Sequence, residues 1–132
     1  MKELAAAITT RFNTANSLKT ALGGQLYPYE AAQSAVFPYG VYYFIDENTD
    51  YDFSDERRDI FSQFSLFSES SSPSEAFTLG SHAQTLFDNA KMTLAGFDLI
   101  QFKRTGSRLL RDEEMNTYTM ILEYHAIIER GR

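Results

Sequence analysis

The sequence predicts an α+β sandwich: two main helices packed on one face of an antiparallel sheet of about four strands, arranged as two hairpins. Three observations carry this. Apolar residues recur at helical spacing near the N-terminus, a capping signal at Ser72-Pro73-Ser74-Glu75 opens a second helix, and apolar residues recur at every second position from Tyr118 to Ile128.

In chain order, Leu4, Ile8 and Phe12 stand at i, i+4 and i+8 and define an amphipathic helix from Lys2 to about Asn13. Residues that hydrogen-bond their own backbone crowd Asn13 to Ser17, so a break is expected there, with Asn16 capping a short second helix to Leu22. The pair Gly23-Gly24 stops it, because both can take a positive φ. Each proline in Leu26-Tyr27-Pro28 and Phe37-Pro38 biases its predecessor away from helix, which predicts an extended surface connector.

Tyr39 to Ile45 is apolar at both parities, the pattern of a strand covered on both faces or placed at a subunit contact, with Tyr42 and Phe44 as contact candidates. Asp46 to Glu56 reads as an acidic loop. Arg58 to Ser68 then sets Ile60, Ser62, Phe64 and Leu66 on one face, with Phe61, Gln63, Ser65 and Phe67 on the other. In the next helix Ser72 is the expected N-cap, Pro73 occupies N1 where its missing N–H is harmless, and Glu75 completes the box; Ala76, Leu79, Ala83, Leu86, Phe87 and Ala90 form the buried stripe. Met92 to Arg104 reads as a strand interrupted at Ala95-Gly96. The last strand places Tyr118, Met120, Leu122, Tyr124, Ala126 and Ile128 inward, against Thr117, Thr119, Glu123, His125 and Glu129.

With 132 residues, 43% of them hydrophobic and 23% charged, the chain is long enough for one core, and a single domain over 1–132 is expected. The absence of cysteine excludes disulfides, thiol catalysis and Cys-built zinc sites. Wholly apolar runs such as Val41 to Ile45 fall far short of the ~20 residues of a membrane span, and the Leu4-to-Ile8 stretch is too short for a signal peptide. A cytoplasmic product is expected. The net charge of −6 argues against a protein whose task is to grip nucleic acid.

Enzyme templates fail on specific residues. Gly23-Gly24 follows a helix and lacks the Lys-Ser/Thr of a phosphate loop. His82 and His125 have no metal-spaced partners, and Gly80-Ser81-His82-Ala83 lies inside a helix without the flanking glycine of a nucleophile elbow. Asp46, Asn48, Asp50 and Asp52 alternate as calcium loops do, but Tyr51 stands where the turn glycine belongs and Arg57 where the bidentate Glu belongs. No catalytic residue, cofactor or metal is therefore assigned, and His125 reads as a solvated strand residue.

Two charge clusters stand out. Asp46 to Asp59 carries seven acids, Asp46, Asp50, Asp52 and Asp55 among them, and two bases; Lys103, Arg104, Arg108 and Arg111 give +4 in nine residues, mostly in an expected loop between the last strands. Two readings fit: simple solvation, or electrostatic pairing between copies of the chain.

Several stretches along the chain resemble a known family. They are Leu18 to Pro28 (LKTALGGQLYP), Phe37 to Tyr43 (FPYGVYY), Arg57 to Ser68 (RRDIFSQFSLFS), Ser72 to Ala76 (SPSEA) and Tyr118 to Tyr124 (YTMILEY). In that order and spacing they resemble the tail completion, or tail terminator, proteins of long-tailed bacteriophages, prophages and gene transfer agents. The resemblance implies a non-enzymatic virion protein of the tail neck, assembled in the host cytoplasm. It further implies a hexameric ring at the head-proximal end of the tail tube that stops tube growth. Its partners would be its own copies, the tail tube protein and a head-side connector or stopper, with DNA passing through the lumen without specific binding. The residues themselves leave open another neck component, a stopper or adaptor, or a small monomeric α+β ligand-binding module.

Overall fold

The structure, a computed structural model, describes residues 1–51 and 56–131, apart from the side chains of 48–51 and 56. Helices α1 (Lys2–Phe12) and α2 (Ser17–Ala21) are followed by β1 (Leu26–Pro28), β2 (Tyr39–Tyr51), β3 (Glu56–Ser68), α3 (Ser74–Phe87), β4 (Phe97–Asp112) and β5 (Thr117–Arg130). The strands make one sheet in the order β1-β2-β3-β5-β4. β2, β3, β5 and β4 pair antiparallel, whereas β1 runs parallel to β2 with Leu26 opposite Gly40. The sheet is thus mixed and has five strands, not four antiparallel ones. The extra strand is three residues long and is held by partners far along the chain, so no local alternation marks it.

All three helices cover one face. The α1 stripe buries Leu4, Ile8 and Phe12, α2 buries Leu18, and α3 buries Ala76, Leu79, Ala83, Leu86 and Phe87, as their spacing requires. Asn16 joins α1 to α2: its Oδ1 accepts from the Lys19 amide at 2.8 Å while its Nδ2 donates to the Phe12 carbonyl at 2.9 Å. Gly23 and Gly24 adopt φ of 60° and 77°. α3 lies so close to β5 that a Cβ on Gly80 would fall 2.9 Å from Met120 Cγ.

The expected capping box does not form: α3 begins at Ser74, one residue later than the capping signal predicts, with Pro73 at the N-cap and no side-chain bond from that residue. Ser72 Oγ accepts from the Ser74 amide at 3.3 Å, but the Glu75 carboxylate turns away and accepts from Ser68 Oγ at 2.5 Å, tying α3 to the end of β3. Beneath the helices, Phe64 stacks on Phe87 with centroids 4.8 Å apart, Phe102 stacks on Tyr124 at 4.7 Å, and Phe64 meets Tyr124 edge-on at 5.5 Å. Ser62 is a polar residue within this layer, and its buried Oγ has no hydrogen-bond partner.

The two charged clusters are carried by strands. The acidic stretch expected as a loop continues β2 to Tyr51 and re-enters β3 at Glu56, and the basic residues expected in a loop lie within the sixteen-residue β4. Bulges explain the missed alternation: register shifts fall between Phe44 and Asp46 in β2, and at Leu99/Gln101 and Arg104/Gly106 in β4.

Candidate assembly surface

β4 forms one outer edge of the sheet, and among the described residues no strand lies beyond it. On the other side β1 covers only Gly40 to Tyr42 of β2, so β2 is an outer edge from Tyr43 onward. The acidic and basic segments therefore occupy opposite edges, separated by β3 and β5. At ~4.8 Å between neighbouring strands, that is about 14 Å of sheet.

The predicted contact residues divide between the two faces. Tyr42 is 1% exposed and lies beneath α1, its hydroxyl donating to the Ala5 carbonyl at 3.2 Å and meeting Thr9 Oγ1 at 3.2 Å. Burial pushes its phenol pKa up. Tyr42 is thus a core residue and offers no contact surface to another subunit. Phe44, half-buried on the same face, meets Tyr29 edge-on at 6.3 Å. Asp46 is exposed and its Oδ1 accepts from the Glu47 amide at 2.9 Å. Asp50 stands opposite Arg57 in the ladder; Asp52 and Asp55 lie outside the described residues.

Among the bases, Arg104 points to the helix side. Its Nε donates to both carboxylate oxygens of Asp88, at 3.2 and 3.1 Å, and the same Asp88 accepts from Tyr124 Oη at 2.5 Å. This triad fastens the end of α3 to β4 and β5. Burial, then the hydrogen bond and negative charge of Asp88, raise the Tyr124 pKa, with Arg104 opposing. Arg108 projects from the opposite face, 3.5 Å from Glu123, with 58% of its side chain exposed. Arg111 returns to the helix side, donating to Asn116 Oδ1 at 3.4 Å with its guanidinium 5.7 Å from the Tyr118 ring. Arg104 therefore serves the subunit interior, while Arg108 keeps much of its surface open.

His125 is not a freely solvated strand residue. On the helix-free face its ring stacks on Phe61 with centroids 4.5 Å apart, Nε2 lies 2.8 Å from Asp59 Oδ1, and Nδ1 lies 3.4 Å from Gln101 Nε2. Neither Asp59 nor Gln101 is signalled by spacing, because they meet His125 only across the ladder. Among the described residues no group of three or more His, Asp or Glu is placed to hold a metal, and no helix is long and apolar enough to cross a membrane.

No curated protein sequence matches significantly. The fold is shared with a solved chain described as the virion of a native gene transfer agent particle. The TM-score is 0.84 with 15% identity, over 97% of this chain and 96% of that one. A family model described as tail completion protein gp17 matches residues 6–129, nearly the whole chain. The chain belongs to the tail completion protein gp17 family and is a structural protein of the virion tail.

Proposed function

We propose that copies of this chain close into a hexameric ring at the head-proximal end of the tail tube, where the ring ends tube growth and receives the head-side connector. The observation that carries the assembly reading is the bare sixteen-residue edge of β4. Strands in globular proteins usually run 3–10 residues, and long uncovered edges are avoided because they recruit other strands. A second bare edge, β2 from Tyr43, lies at the far side of the same sheet and belongs to the acidic segment. A ring needs two different patches that meet head to tail, and edges of opposite charge supply them.

Joining edge to edge places the helix layer, the bulkier side, on the outer circumference and turns the helix-free face toward the axis. On that face Asp59 lies near Arg57 and His125, and Glu123 near Arg108. Lys103, opposite His125, has no carboxylate at salt-bridge distance among the described residues, but Asp98, Asp112 and Glu129 on the same face outweigh it. Such a lining lets DNA pass without the salt-dependent grip of an uncompensated basic channel. The chain's role here is structural, with no reaction assigned to it.

The test is the mass of the purified protein by light scattering, followed by mixing with tail tubes under the electron microscope. About six times the 15.0 kDa subunit, or rings seen only at one tube end, is the expected result. A monomer that leaves tube ends bare overturns the proposal, and one that binds isolated head connectors but not tubes identifies a stopper instead.

A further inference from the structure

A groove of about 710 Å³ runs between the outer side of α1 and the segment joining α3 to β4. One wall is formed by two adjacent stripes of α1, Lys2-Ala6-Thr10 and Glu3-Ala7-Arg11, with Thr14 just past the helix end, and the opposite wall is Lys91 to Thr93 with Ala95. Three cations, Lys2, Arg11 and Lys91, line it against one acid, Glu3, so the lining is net positive. Among the described residues none of the three has a carboxylate within salt-bridge distance, although the whole chain carries a net charge of −6.

Arg11 also makes the groove rigid. Its Nε donates to the Leu86 carbonyl at 2.6 Å and its Nη1 to the Lys91 carbonyl at 3.5 Å, pinning the α1 wall to the opposite one with the positive charge held between them. The floor is small and partly apolar, with Ala6, Ala7, Met92 and Ala95, so another backbone can approach closely without displacing large side chains. A trough with an apolar floor, a pinned Arg11 and lysines at its rims matches a peptide bearing carboxylates better than a nucleic acid backbone, which would need base-stacking aromatics or a longer basic track.

We infer that this groove docks an acidic segment of a different protein, held by Lys2 and Lys91 at its rims and by Arg11 at its centre. Lys2 and Arg11 are nine residues apart on α1, a rise of about 13.5 Å at 1.5 Å per residue. In an extended partner at about 3.3 Å per residue, carboxylates about four positions apart span that distance. The recognised pattern is therefore two Asp or Glu about four residues apart in an extended segment with small residues between them. The inference does not depend on ring closure, since no groove residue belongs to β2 or β4.

The test is a titration of the isotope-labelled protein with a short Ala/Ser peptide carrying two aspartates four residues apart, followed by amide chemical shifts. The expected result is shifts confined to Ala6, Thr10, Arg11 and the 91–95 segment, weakened about tenfold in the Lys2→Glu, Lys91→Glu double variant and reduced by salt. Both lysines are exposed, and an unchanged spectrum elsewhere verifies the variant's fold. Shifts outside the groove, equal affinity for the double variant, or equal affinity for the asparagine version of the peptide overturn the proposal. Tighter binding of a short DNA duplex at the same amides would reassign the groove to phosphate. Movement of those amides with protein concentration alone would reassign it to a second copy.

Discussion

Replacing Tyr124 by Phe removes one oxygen from the triad that fastens α3 to the sheet and leaves the aromatic packing in place. The lost bond, Tyr124 Oη to Asp88 at 2.5 Å, has a charged acceptor, a class worth about 1.5–3 kcal/mol. Asp88 retains Arg104, and its side chain is 27% exposed, so water replaces part of the loss. About 1–2 kcal/mol is the expected cost, or a fall in Tm of roughly 3–10 °C for a domain of this size. A second signature depends on pH. Tyr124 has a raised pKa in the folded state, so its contribution is complete below the ordinary tyrosine value near 10 and is lost as pH rises above that value, where only the unfolded chain ionises. The variant should therefore lose less stability than the parent between pH 9 and 11, by up to about 1.4 kcal/mol per pH unit above 10. Urea unfolding at several pH values measures both effects. Equal stability at pH 7, or parallel pH profiles for the two proteins, would refute the triad as an anchor.

Three further outcomes follow from the geometry. Arg108→Glu combined with Arg111→Glu should prevent ring formation in light scattering while the circular dichroism spectrum is retained, and unchanged assembly at low and high salt would exclude a role for the basic edge. Ser62→Ala should be neutral or stabilising by up to about 1 kcal/mol in thermal unfolding, because it deletes a buried hydroxyl that has no partner. His125→Gln should cost about 1 kcal/mol through the lost Phe61 stack and Asp59 contact, and a variant as stable as the parent would return His125 to the status of a solvated residue.

Legibility followed regularity. In β5 Met120, Leu122, Tyr124, Ala126 and Ile128 keep one parity and are buried as predicted, with Tyr118 half-buried, while Ile121 is buried on the opposite face. β3 and the α3 stripe were legible for the same reason. The edge strands were not, because each bulge moves the alternation by one residue and because strands rich in Asp, Glu, Lys and Arg have the composition of loops. Tyr42 shows a different limit. An aromatic at both parities of a strand signals cover on two faces, but which aromatic meets a helix and which meets another subunit depends on the helix that lies above. Asp88 carried no local signal at all, since its partners Arg104 and Tyr124 are 16 and 36 residues away.

Ile45, Ile100 and Thr105 are the supernumerary residues at the three register shifts, and all three are exposed. They sit only in β2 and β4, the two strands with a bare edge, while β3 and β5 pair with each other without interruption. This divides the sheet by its tolerance of changes in chain length. Deleting Ile45, Ile100 or Thr105 shortens a strand while every other residue keeps its partner and its face, whereas deleting one residue from β3 or β5 turns half of that strand's core residues toward the opposite side. Related chains that differ by a single residue should therefore differ in β2 and β4, where an altered count reshapes an outer edge of the sheet and spares the interior.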